Sequence, residues 1–172
     1  MDASLRRDTI LETINQSDAT VSASSLAKRL NVSRQVIVGD IALLRAQGHE
    51  IIATARGYMI PKFRESNQYI GKIVCCHSPE DTKDELYTMV DLGVVVVDVW
   101  VEHELYGEIT GQLNLKNRED VDIFICRVKS SNIKLLSELT MGVHLHTITC
   151  RDKTHFEQVC QALDMRGYLY KG

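Results

Sequence analysis

The sequence predicts an α+β chain in two parts, on three observations. The first 60 residues show helical periodicity closed by a short pair of strand-like runs. The remainder alternates β-branched runs with amphipathic helices. Between them, Pro61–Asn67 is polar and without period, as a linker would be. Residues 1–62 therefore form one domain, and residues 63–172 form an α/β sandwich whose mixed or antiparallel sheet carries helices on one face.

In the first part, Ile10, Leu11 and Ile14 share one face of a helix over Leu5–Ile14. Ser22 is the N-cap of the next helix, stapled by Val21 and Leu26, with Leu26, Ala27 and Leu30 facing inward. After the turn Asn31–Val32 the pattern repeats. Ser33 caps, Val32 and Ile37 staple, and Ile37, Ile41 and Leu44 recur at helical spacing until Gly48 closes the helix. Ile51–Thr54 and Gly57–Ile60 then form a hairpin around Ala55-Arg56. Together these elements predict a winged helix-turn-helix.

In the second part, Tyr69–Cys76 reads as a strand, and Ser78-Pro79-Glu80-Asp81 opens a helix that runs to Leu92 and stops at Gly93. Val94–Val101 is a buried strand and Gly107–Leu115 a more polar one. Asn117 caps a helix striped by Val121, Phe124, Ile125 and Val128. Met141–Thr149 is a strand, and Thr154 with Glu157 forms the capping box of the last helix.

Composition bounds the function. At 172 residues, 44% hydrophobic and 25% charged, the chain reads as an ordinary globular protein. No apolar run approaches the ~20 residues of a membrane span, and the polar start, with Asp2 and Arg6–Asp8, lacks a signal-peptide core. Five cysteines without a CxxC pair predict reduced thiols in the cytoplasm. The net charge is −3, but it is unevenly placed. Residues 1–62 hold 8 Lys/Arg against 6 Asp/Glu, whereas residues 63–172 hold 12 against 17. A mildly basic head on an acidic body suits DNA contact through the head alone.

The second helix of the head begins Ser33-Arg34-Gln35, where a recognition helix presents side chains to base edges and amides to phosphate. Arg34 can donate to guanine and Gln35 to adenine. Arg56 and Tyr58 occupy the wing. The alternative is a helical bundle with solvated charges, or a winged fold used for protein contact.

His144 and His146 project from one side of their strand. His77 ends the first strand of the same domain, and Glu85 lies beside the helix stripe of Leu86, Met89 and Val90. Three imidazoles and a carboxylate suit Zn, Ni, Fe or Mn better than Ca or Mg. The competing reading is two hydrogen-bonded or surface histidines and a solvated glutamate.

Two resemblances extend this. Residues 5–60, through Ser25-Leu26-Ala27, Leu30-Asn31-Val32-Ser33-Arg34, Asp40-Ile41, Leu44-Arg45, Gly48, Ile51 and Arg56-Gly57-Tyr58, resemble the winged helix-turn-helix at the front of biotin-operon repressors. Residues 69–170 resemble the three-histidine (3H) domain. The matching segments are His77-Ser78-Pro79, Glu85-Leu86, Val101-Glu102-His103, Tyr106-Gly107-Glu108-Ile109, Arg118-Glu119-Asp120-Val121 and Gly142-Val143-His144-Leu145-His146. The pair is similar to the niacin-responsive repressors of NAD biosynthesis and salvage genes. That resemblance implies operator DNA, nicotinic acid as co-repressor, a homodimer, and a divalent metal at His77, Glu85, His144 and His146. One departure is Glu104, where the family pattern has proline after the middle histidine.

A nicotinate ligand asks for a flat apolar slot and a partner for its carboxylate. Trp100, Tyr106 and Phe124 are candidate walls, and His103 and Arg118 candidate polar contacts, the last as a bidentate guanidinium. Solvation of Arg118 and core roles for Phe124 and Trp100 stand against these. Two rival functions are a regulator answering to the ion alone and a small metal-dependent hydrolase. No nucleophile motif or glycine-rich phosphate loop supports the hydrolase.

Overall fold

The computed structural model describes residues 2–62 and 68–172, so most of the expected linker, residues 63–67, lies outside the described residues. The chain falls into two compact units, Met1–Arg64 and Glu65–Gly172. No helix among the described residues is long and apolar enough to cross a membrane.

The head contains α1 (Ala3–Gln16), α2 (Ala23–Leu30), α3 (Arg34–Ala46) and an antiparallel hairpin of β1 (Ile52–Thr54) and β2 (Gly57–Met59). Both expected serine caps form. Ser22 accepts from the Ser25 amide at 3.0 Å and Ser33 from the Val36 amide at 3.3 Å. Asn31 makes the tight turn between α2 and α3 in the left-handed conformation, φ 53°. Ile10, Ile14, Leu26, Ile37, Ile41 and Leu44 fill the core, each contributing roughly 1.5–3 kcal/mol by burial. Arg6 ties α1 to α3 through a forked ion pair with the buried Asp40. Tyr58 bridges to Val21 through its backbone, and its ring joins this core. A three-residue strand has one inward position, and Tyr58, the expected wing contact, fills it.

In the second unit the sheet is wholly antiparallel, in the order β3-β6-β4-β5. Its strands are β3 (Tyr69–Cys76), β4 (Val95–His103), β5 (Gly107–Leu115) and β6 (Val143–Cys150). The helices α4 (Thr82–Asp91), α5 (Arg118–Ser131) and α6 (Lys153–Met165) cover one face. Along β6 burial alternates strictly, with His144, His146, Ile148 and Cys150 buried beneath the helices. The residues between them face the other side. There Leu145 pairs with Trp100, and the Lys72 ammonium sits 4.8 Å over the indole.

Several local expectations shift. Ser78 does not cap α4; its hydroxyl donates to Asp81, and a 3₁₀ turn, Pro79–Asp81, precedes the helix. Asp152, rather than Thr154, caps α6 by accepting from the His155 amide at 2.8 Å. Strand β6 begins at Val143, because Met141 and Gly142 both take positive φ. An unforeseen 3₁₀ turn, Leu136–Thr140, lies before it. In β4 the register slips between Val96 and Trp100, a bulge that turns the Asp98 carbonyl toward β6.

Candidate metal centre

Strand alternation places His144 and His146 on the helix side of β6, and the β3–β6 register sets Cys75 beside His144. His77 follows the end of β3, and Glu85 reaches the same point from α4 with no exposed surface. The Glu85 carboxylate is the hub. Its Oε2 lies 2.7 Å from His77 Nε2, and its Oε1 lies 3.0 Å from His144 Nε2 and 3.4 Å from His146 Nε2. The four groups paired by the sequence reading therefore meet at one buried place.

The far side of each ring fixes its orientation. Nδ1 of His77 faces the Ser78 carbonyl at 2.8 Å, that of His144 the Gly142 carbonyl at 2.8 Å, and that of His146 the Asp98 carbonyl at 2.7 Å. A carbonyl only accepts, so each Nδ1 carries the proton and each Nε2 turns toward Glu85. Such backbone clamps behind the rings are the usual outer support of metal-ligating histidines. Three buried atoms, His77 Nε2, His146 Nε2 and Glu85 Oε2, have no aligned hydrogen bond despite these short separations. Three imidazole nitrogens and a carboxylate, buried and converging, form a donor set that fits a divalent transition metal.

The electrostatics agree. Burial opposes ionisation of Glu85, yet the His146, His144 and His77 rings hold its pKa well below the usual carboxylate range. Burial likewise opposes charge on His77 and His146, but Glu85 raises both above the ordinary imidazole value. An anion so placed seeks positive charge, supplied by protons or by a metal ion.

One residue of the cluster escaped the sequence reading. The ligand atoms of Cys75, Glu85 and His144 lie within 4.8 Å of one another. Burial, then Glu85, pushes the Cys75 thiol up in pKa. The signal was available: Cys75 and His77 stand two residues apart in the chain, the spacing that pairs His144 with His146.

Beside the cluster lies a small cavity of about 30 Å³, the space of a water molecule or two. Its lining contains Val99, Leu113, Phe124, Leu135 and Leu136, the polar Thr82 and Ser137, and the four clustered groups. The Thr82 hydroxyl is buried there without a hydrogen-bond partner. Of the expected walls Phe124 is present, whereas Trp100 is on the outer face.

His103, Tyr106 and Arg118 do not line this cavity. His103 Nδ1 accepts from the Leu105 and Tyr106 amides and so caps the β4–β5 turn. Tyr106 is 74% exposed on that turn. Arg118 makes a forked ion pair with Asp91 and lies 4.3 Å over the Tyr87 ring. In the head, Ser33 spends its hydroxyl on the α3 cap, Arg34 and Gln35 are exposed in the first turn of α3, and Arg56 sits at the tip of the hairpin.

A helix-turn-helix with a hairpin wing, followed by a domain with a buried ligand-type centre, defines a DNA-binding transcription regulator. Residues 6–59 match the HTH domain family, and residues 70–172 match the 3H domain family. The chain belongs to the 3H-domain family. It is 44% identical over 168 residues to the transcription repressor NadR of Bacillus subtilis strain 168, covering 96% of this chain and 93% of that protein. It is 39% identical over 165 residues to the probable transcription repressor NiaR of Thermotoga maritima, covering 95% and 93%. Like these relatives it is a regulator and not an enzyme.

Proposed function

We propose that the protein represses genes of NAD metabolism, with nicotinic acid as co-repressor and a divalent metal held by His77, Glu85, His144 and His146. The observation that carries this reading is the convergence of three clamped imidazoles on one buried carboxylate, at the edge of an apolar cavity. The bound metal supplies a Lewis-acid partner for the effector's carboxylate or ring nitrogen. The cavity supplies flat apolar walls and the unpartnered Thr82 hydroxyl. The apolar lining beside the centre favours an effector over a response to the ion alone.

The heads bind operator DNA through Arg34 and Gln35 on α3, with Ser33 as its cap and Arg56 on the wing. A cytoplasmic homodimer would set two recognition helices about 34 Å apart on a palindromic operator. The effector then acts by its differential affinity for the arrangement that fits DNA. Operator binding measured with and without nicotinate and with and without zinc tests this directly. Tighter binding is expected only when both are present; equal affinity in all four conditions overturns it.

A further inference from the structure

We propose that Cys75 is a further ligand of this centre, a thiolate that makes the site selective for thiophilic ions such as zinc, cobalt and nickel over manganese. The inference rests on the metal reading above and deepens it.

Three observations place the sulfur in the site rather than merely in the core. Its Sγ, a Glu85 oxygen and a His144 nitrogen are mutually within 4.8 Å, the only such set among the described residues. Cys75 occupies a buried position of β3 and is paired across the sheet with His144. Two further atoms of the cluster, Glu85 Oε2 and His146 Nε2, are buried and lack an aligned hydrogen-bond partner. They belong to side chains whose remaining polar atoms are already engaged, so they mark ligand positions independently of the thiol.

The chemistry is a simple exchange. The Cys75 S–H bond breaks, its proton passes to solvent, and a sulfur–metal bond forms with no change of oxidation state. Carboxylate and water suit manganese, whereas a sulfur donor shifts preference toward softer ions. A serine of nearly the same size keeps the packing and removes the soft donor.

Cobalt(II) titration of the full chain tests the proposal through its absorption spectrum. A thiolate-to-cobalt charge-transfer band in the near ultraviolet is expected beside the weaker ligand-field bands. Cys75→Ser should abolish the first and keep the second, while Cys126→Ser, on an exposed residue, should keep both. The zinc-over-manganese affinity ratio should fall by at least about tenfold in Cys75→Ser. Ligand-field bands without charge transfer in the parent chain would overturn the Cys75 assignment and leave the metal centre standing. A charge-transfer band that persists in Cys75→Ser would overturn it as well. No cobalt bands at all would overturn the metal reading itself. If Cys75→Ser fails to fold, X-ray absorption of the zinc-loaded parent decides: a sulfur neighbour at about 2.3 Å supports the ligand, and its absence refutes it.

Discussion

Gly142 lies against the backbone of His77: a Cβ built at 142 would stand 2.5 Å from the His77 carbonyl oxygen, closer than real atoms approach. Gly142 also takes φ +95°, and its own carbonyl accepts the His144 Nδ1 proton at 2.8 Å. One glycine thus sets the separation of the two chain segments that carry two of the candidate ligands. Gly142→Ala should destabilise the second unit by about 1–3 kcal/mol and weaken metal uptake. Thermal melts of the metal-free and zinc-loaded variant check this, and an unchanged melting temperature would refute it.

The charges of the cluster predict opposite pH responses for metal-free and metal-loaded protein. Glu85, depressed in the fold, contributes stability above its ordinary value, about 4.5, that is lost as pH falls through the lowered value. His77 and His146, raised, contribute stability below about 6.5 that is lost as pH rises through their raised values. Chelator-treated protein should therefore lose stability as pH rises beyond 6.5 through those values. Zinc requires unprotonated imidazoles, so the gain in melting temperature on adding zinc should grow over the same range. Melts at stepped pH test both, and a metal-free curve flat across that range would contradict the assignment.

Tyr58 and Arg56 should separate cleanly in the head. Tyr58→Ala removes a core ring and should cost about 3 kcal/mol of stability, lowering DNA affinity only through unfolding. Arg56→Ala should reduce the salt dependence of operator binding by about one ion. Binding titrations at several salt concentrations, beside melts of each variant, measure the contrast. Equal salt slopes for Arg56→Ala and the parent would remove Arg56 from the interface.

Thr82→Val should leave the effector-free protein as stable as the parent or slightly more so, because the deleted hydroxyl is buried without a partner. The same change should weaken nicotinate binding by about tenfold, the cost of one hydrogen bond. Arg118→Ala, which breaks the pair with Asp91 outside the cavity, should leave nicotinate affinity unchanged. Calorimetry with zinc-loaded protein distinguishes the two, and a large loss in Arg118→Ala would contradict the geometry.

What could be read in the chain was local or periodic. The serine caps of α2 and α3 are signalled within three residues, and the paired histidines of β6 follow from strand alternation. Their meeting with Glu85, 59 residues earlier than His144, stood beside the reading of a solvated glutamate until the resemblance favoured it. Cys75 was overlooked because it sits in an apolar run that reads equally well as core. Asp152 and Thr154 offer competing caps two residues apart, and nothing local chooses between them. The effector contacts depended on proximity in the fold, and there Arg118 had a carboxylate partner 27 residues away. The bulge in β4 falls within a valine-rich run that carries no period to mark it.

That bulge has an experimental consequence. The carbonyl it turns inward belongs to Asp98, which holds the His146 ring, and two residues on stands Trp100 on the opposite side of the sheet. Trp100 is the single tryptophan of the chain. Its fluorescence should therefore answer to the strand that holds the His146 ring, and a change on adding zinc would follow occupancy in solution without attaching a dye.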